Sequence, residues 1–442
     1  MKIKKIFISA LAVVFIAAAA FSSGCSTDSR TWVLKTLREN FYFYDEMNKE
    51  GLEELSLEEI VARVKSQDIY SEYYTAEEYE AVVKDYAGNK AGIGFSYMFV
   101  EAGASTVYPD GGCVVALVMG NSPAEKSGMR AGQILTGGTY NGETVAFEKQ
   151  GDLDAFISPI KTDVRFTLTD GAGVDHEVYK TEYVASYMFM ATAETAFSPT
   201  LSGSGKVTGV AEVSDRAIEY LPEGCAYVSM SQFFGNAADE FGYLMEKFNA
   251  LNCKSLILDL RSNGGGYVDV MCDMAGYFTS SLDGGTRVAM TAEYRNGHKE
   301  IYNCKSHSGN GLVPVDTTVY VLVNSGTASA SEALIGVLVD YGFVEPENIL
   351  LSDFSEEFTA WSDGEYGTKR SYGKGIMQSP FVNFWTREVL KLTTAEIFWP
   401  NGKSIHGVGV TTDDGCRTVE ADWIVTPDDS ELKNAVEIIK GE

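Results

Sequence analysis

Apolar and polar positions divide the chain into stretches of different period. From Thr31 to about Tyr86, three groups of apolar residues recur at helical steps between polar breaks. They are Trp32, Leu34, Leu37, Phe41 and Phe43, then Leu55, Ile60, Val61 and Val64, then Tyr79, Val82 and Val83, and they predict a helical packing arm. From Asp85 to roughly Glu182 the period shortens and glycines multiply. Gly92-Ile93-Gly94-Phe95 is a turn feeding a strand, Cys113 to Val118 a second strand, and Ser122-Pro123 opens a short helix. From Gly205 onward strand and helix alternate. Ala226–Met230, Ser255–Leu260, Arg287–Met290 and Thr318–Val323 read as strands. Phe241, Leu244, Met245, Phe248 and Leu251, then Val268, Met271 and Ala275, mark helices. Such alternation predicts an α/β core of parallel strands and crossover helices.

The sharpest change of period lies between Thr318 and Gly342. Val319 to Val323 is an unbroken apolar run, as in a strand covered on both faces. Asn324-Ser325-Gly326 breaks it, and Ala330, Ala333, Leu334, Val337, Leu338 and Tyr341 then form one helical stripe. Ser329 stands at the helix start, where unpaired N–H groups and the positive end of the helix dipole would stabilise a developing oxyanion. The same position also suits a plain N-cap, with Glu332 three residues on closing a capping box. The strand-turn-helix alone leaves both readings open.

Charge and composition narrow the class. Thirty-five basic residues against 62 acidic leave a net charge of −27, which opposes non-specific attraction to nucleic acid and to anionic membrane. An apolar content of 45% over 442 residues is enough for two or three cored domains. The start of the chain differs from the rest. Lys2, Lys4 and Lys5 precede an apolar run from Ile6 to Phe21, then Ser22-Ser23-Gly24-Cys25, which resembles a bacterial lipoprotein signal. The resemblance implies cleavage before Cys25, a lipid on that cysteine, and a body held outside the cytoplasm. The other six cysteines are scattered without metal-ligand spacing, so neither a zinc site nor a disulfide is expected.

Further motifs bear on Ser329. Asp259-Leu260-Arg261-Ser262-Asn263-Gly264-Gly265-Gly266 is a strand ending in three glycines, whose amides can approach a ligand closely. Tyr372-Gly373-Lys374-Gly375-Ile376-Met377-Gln378 places a lysine between glycines with a glutamine four residues on. In this order, with Asn324 to Glu332 between them, these motifs resemble the C-terminal processing (tail-specific) peptidases of serine peptidase family S41. Ser231-Gln232-Phe233, Leu392 to Ala395 and Pro400 to Ile405 support the match. The resemblance implies Ser329 as nucleophile, Lys374 as general base and Gln378 as the residue orienting it. It also implies an oxyanion hole from Ala330 N–H and one of the triple-glycine amides, Gly266 or Gly265. A lysine acts as a base only when neutral, which burial favours. The four histidines, His176, His298, His307 and His406, lack a motif setting and read as surface or loop residues.

The turn Gly92-Ile93-Gly94-Phe95, the strand after it and Ser122 to Leu135 resemble a PDZ domain, which implies that Gly92, Ile93, Gly94 and Phe95 hold a peptide's C-terminal carboxylate. Lys374 follows Ser329 at a longer interval than the family's, and the acidic, aromatic stretch Glu345 to Glu365 reads as an insertion, looped out or lying over the site.

The expected fold is α+β and multidomain: a signal peptide (1–24), a helical N-terminal region (25–86), a PDZ-like β-rich domain (87–185) and an α/β protease core of the ClpP/crotonase-like type (186–442). The expected activity is a cofactor-free Ser–Lys endopeptidase acting on exported proteins near their free C-termini. The expected partners are protein or peptide substrates and no nucleic acid, with membrane attachment only through Cys25. The competing reading is a catalytically weak peptide-binding scaffold of the same fold, with the insertion blocking the cleft.

Overall fold

The computed structural model describes residues 28–103, 107–354, 368–422 and 429–441. The leader and Cys25 lie outside these residues, as do 355–365 of the stretch read as an insertion.

An eight-stranded sheet forms the centre, in the order Val207–Glu212, Ala196–Leu201, Met188–Ala191, Cys225–Met230, Ser255–Asp259, Thr318–Val323, Ile349–Phe354, Arg417–Ala421. Pairing is parallel from Cys225–Met230 to the Arg417–Ala421 edge and antiparallel on the other side. The strand before Ser329 shows why its sequence is apolar throughout. Val319, Val321 and Val323 face a core shared with helices Ala237–Ala250, Val268–Thr279 and Ala330–Asp340, whereas Tyr320 and Leu322 face a second core with Leu432 and Val436 of the helix Ser430–Lys440.

A second sheet carries the lysine. Ile376–Val382 and Val389–Phe398 form an antiparallel hairpin, and the other edge of Val389–Phe398 pairs with Glu72–Tyr74 at its start and with Val288–Tyr294, followed by Lys299–Asn303, at its end. The strand expected at Arg287–Met290 therefore belongs to this antiparallel sheet rather than to the parallel core. Glu72–Tyr74 is also a strand inside the stretch predicted as helical. It lies between the helices Leu57–Gln67 and Ala76–Tyr86, too short to carry a period of its own. Helix Ser29–Asn40 packs Trp32, Val33, Leu34 and Leu37 onto Leu390 and Leu392, so the N-terminal region is built onto the hairpin.

Residues 95–179 form a six-stranded antiparallel sheet with its own core, including Ile93, Val115, Leu135, Phe166 and Leu168. His176 is buried in this unit, with its ring nitrogens 3.2 Å from Asp170 Oδ2 and 3.1 Å from the Ser127 carbonyl, not at the surface as its sequence setting suggested. A corresponding correction applies to Glu345–Glu365. Its first part is no insertion, because Ile349–Phe354 pairs with Thr318–Val323 and with Arg417–Ala421 in the middle of the parallel run.

Candidate active site

Ser329 ends the turn between its strand and helix Ala330–Asp340 with φ 58° and ψ −114°, a strained conformation for a residue with a side chain. The strain is held by the neighbouring Gly-rich loop. Asn263, fully buried, accepts at its carbonyl from Ala328 N–H (3.0 Å) and Ser331 Oγ (2.9 Å), and its side chain donates to the Met230 carbonyl (3.0 Å). Thr327 Oγ1 donates to the Leu260 carbonyl at 2.7 Å. Gly265 has φ 97°, and a Cβ there would stand 2.8–2.9 Å from Ala328 O, Ala330 N and Ser329 Cβ, so only a glycine lets the two loops touch.

Of the expected oxyanion donors, Gly265 spends its N–H on Asn263 Oδ1 at 3.0 Å. Gly266 has φ 151° and is packed against the Phe233 backbone, and Ala330 opens the helix, where an amide has no intrahelical partner.

Lys374 reaches the same place from the second sheet, and Glu332 joins the two. The Glu332 carboxylate has no exposed surface. Its Oε2 accepts from Ser329 N–H and Lys374 N–H, both at 2.9 Å, so these two amides lie within twice that distance of each other. Its Oε1 accepts from Gly373 N–H at 2.7 Å and from Ser371 Oγ. Burial pushes the Glu332 carboxyl up, and the donors work against that shift. Tyr372 N–H adds a bond to the Thr327 carbonyl at 2.9 Å. The position read as a capping-box glutamate therefore also ties the serine turn to the lysine loop.

Lys374 is 3% exposed, and its Nζ has no hydrogen-bond partner among the described residues. Burial, reinforced by the nearby Lys391 ammonium, lowers its pKa to about 7, against weaker opposing pulls from Asp68, Glu332 and Glu72. The alternative lysine, Lys369, is 47% exposed and paired with Asp353 at 3.2 Å, so it faces solvent. Gln378 is buried on the strand after Lys374, and its Nε2 donates to Thr393 Oγ1 at 3.0 Å rather than meeting the lysine amine. Sequence reasoning missed Asn263 as a brace and Tyr70 altogether. The Tyr70 ring lies 4.3 Å from Lys374 Nζ, and nothing in its sequence setting signals the contact.

In the six-stranded unit the carbonyls of Ile93 and Gly94 accept from Ala124 N–H (2.9 Å) and Met119 N–H (2.8 Å). A trans peptide points its N–H opposite its carbonyl, so the amides of Gly94 and Phe95 face away from those partners.

The profile of peptidase family S41 matches residues 224–345, from the strand Cys225–Met230 through the serine turn. A relative in Staphylococcus saprophyticus, named "Probable CtpA-like serine protease", is 26% identical over 416 residues, 92% of this chain and 70% of the relative. The chain is thus similar to the serine peptidases of family S41. A Staphylococcus aureus protein of the same name is 24% identical over 377 residues, which cover 85% of this chain but 62% of that relative. Among solved structures, a Bacteroides fragilis chain assigned to the S41 proteases shares the mixed α/β fold. Its TM-score is 0.58 at 15% identity, over 93% of this chain and 97% of that structure.

Proposed function

We propose that the protein is a Ser–Lys endopeptidase that cleaves exported proteins near their C-termini. The observation carrying the proposal is the shared Glu332 carboxylate, which joins the turn of a strained serine to the loop of a buried lysine whose Nζ has no hydrogen-bond partner among the described residues. Neutral Lys374 takes the proton from Ser329 Oγ as the oxygen attacks the scissile carbonyl. The oxyanion gathers on the N–H groups of Ala330 and Gly266, the lysine returns the proton to the leaving amine, and water then hydrolyses the acyl-enzyme. Gln378 and Thr393 fix the strand that carries the lysine loop. Residues 87–185 serve as a PDZ-like module whose outward Gly94 and Phe95 amides receive the substrate carboxylate, next to Gly92 and Ile93. A lipid on Cys25 anchors residues 25–86 and the peptidase core, 186–442, to the bacterial cell envelope, facing the periplasm or the surface.

Mass spectrometry of peptide products tests the reading. Ser329→Ala and Lys374→Ala should each lower kcat by about 10⁴-fold or more while thermal melting still shows a folded protein. In the wild type, kcat/KM should rise with pH through a midpoint near 7, where Lys374 loses its proton. A folded Lys374→Ala variant that keeps its activity would remove the lysine from the mechanism.

A further inference from the structure

The water-excluded setting of the Lys374 amine is completed by a residue about 300 positions earlier in the chain. Tyr70 lies between helix Leu57–Gln67 and strand Glu72–Tyr74. Its ring centroid is 4.3 Å from Lys374 Nζ, and its hydroxyl donates to Tyr372 Oη at 2.6 Å. Around the ring the exposure falls steeply. Ile69 is 63% and Tyr372 44% exposed, whereas Lys374 is buried, so the tyrosine pair lies between solvent and the amine. The segment bearing Tyr70 is fixed on the lysine's own sheet. Ser71 Oγ accepts from Thr393 N–H at 3.1 Å, Glu72 pairs with the buried Lys391 at 2.7 Å, and Glu72–Tyr74 is hydrogen-bonded to Val389–Lys391.

On the Ser–Lys reading above, we propose that Tyr70 is a positioning residue for the general base. Its ring closes the amine off from water, and its bond to Tyr372 keeps the lysine loop under that cover. The N-terminal region then forms one wall of the active site, and a peptidase core without it would leave the lysine hydrated and protonated.

The ring acts on Lys374 in two opposite senses. A π face favours the ammonium, and exclusion of water favours the amine. The other groups facing the amine are Lys391 from the hairpin, Asp68 and Glu72 from the N-terminal segment, Glu332 from the helix after Ser329, and Tyr372 on its own loop. Burial outweighs every other influence on this lysine, so opening the ring's position should raise its affinity for protons.

The test measures kcat/KM from pH 5 to 10 on the full chain with a peptide substrate, each variant being checked by thermal melting. Tyr70→Phe keeps the ring and loses only the bond to Tyr372, so it should move the acid limb by less than Tyr70→Ala does. Tyr70→Ala should move that limb up by about one pH unit, roughly a tenfold loss at pH 6, with activity recovering at pH 9. Tyr70→Gln, similar in size and tolerable at a half-buried position, should move it the same way and serves if the alanine variant does not fold. Unmoved limbs in both Tyr70→Ala and Tyr70→Gln, with activity lowered equally at every pH, would reduce Tyr70 to a structural contact and overturn the proposal. In that case an inactive Lys374→Ala would leave the Ser–Lys reading standing, whereas an active one would remove that reading first.

Discussion

Glu332 accepts four hydrogen bonds on a carboxylate with no exposed surface, and three of its donors are backbone amides on either side of the serine–lysine junction. Removing the side chain leaves those amides buried without an acceptor, at a cost of about 1–3 kcal/mol for each. Glu332→Ala is therefore expected to lower Tm by several degrees and kcat by more than the fold loss explains, since Ser329 N–H and Lys374 N–H share this carboxylate as their acceptor. Glu332→Gln keeps one carbonyl acceptor and should fall between. Equal kcat in folded Glu332→Ala and wild type, measured well below Tm, would show that the junction holds its geometry without the carboxylate.

Between elements, the decisive contact is the touching of two loops. The Asp259-to-Gly266 loop and the serine turn end adjacent parallel strands, so the sheet register brings them together, with Asp259 paired to Leu322. Arg261 anchors the first loop through Asp259, Asp429 and Glu431 and is thus committed to structure. Gly265→Ala would push a methyl group against the Ala328 carbonyl and the Ala330 amide nitrogen, two backbone atoms that cannot rotate aside. It is expected to cost about 10²–10³-fold in kcat, the range seen when oxyanion geometry is lost, with KM changing far less. A Gly265→Ala enzyme within a few-fold of wild-type kcat would mean that the serine turn does not depend on this close approach.

Across the whole molecule, Glu240 joins the eight-stranded core to the segment arriving from the six-stranded unit. Its Oε2 accepts from Ser186 Oγ, Tyr187 N–H and Met188 N–H at 2.9–3.0 Å, and Ser186 bridges to Gly120 of that unit. Burial pushes the Glu240 carboxyl up to about 7. A carboxyl with a raised folded pKa binds its proton more tightly folded than unfolded. Its contribution to stability is thus full below about 4.5 and is lost as pH rises through about 7. Glu240→Gln should remove that dependence, so the Tm difference between wild type and variant should drift in the variant's favour from pH 4.5 to 7. A constant difference over that window would show that Glu240 does not titrate there.

Sequence alone was enough for whatever depends on local period and short motifs. The alternation after Gly205, the unbroken apolar strand before Ser329 and the helix after it follow from which faces must be buried, and the three motifs carry the candidate site residues in order. Their meeting was decided by the tertiary structure. Ser329 and Lys374 belong to different sheets, and no period spans the 45 residues between them. Only the fold turns Glu332 from a capping residue into a shared acceptor, places Ile349–Phe354 in the sheet instead of an insertion, and lays Tyr70 over the lysine. Burial is a property of the assembled molecule, and burial brings the pKa of the Lys374 amine down to about 7. A lysine between two glycines carries no such information until other parts of the chain have closed around it.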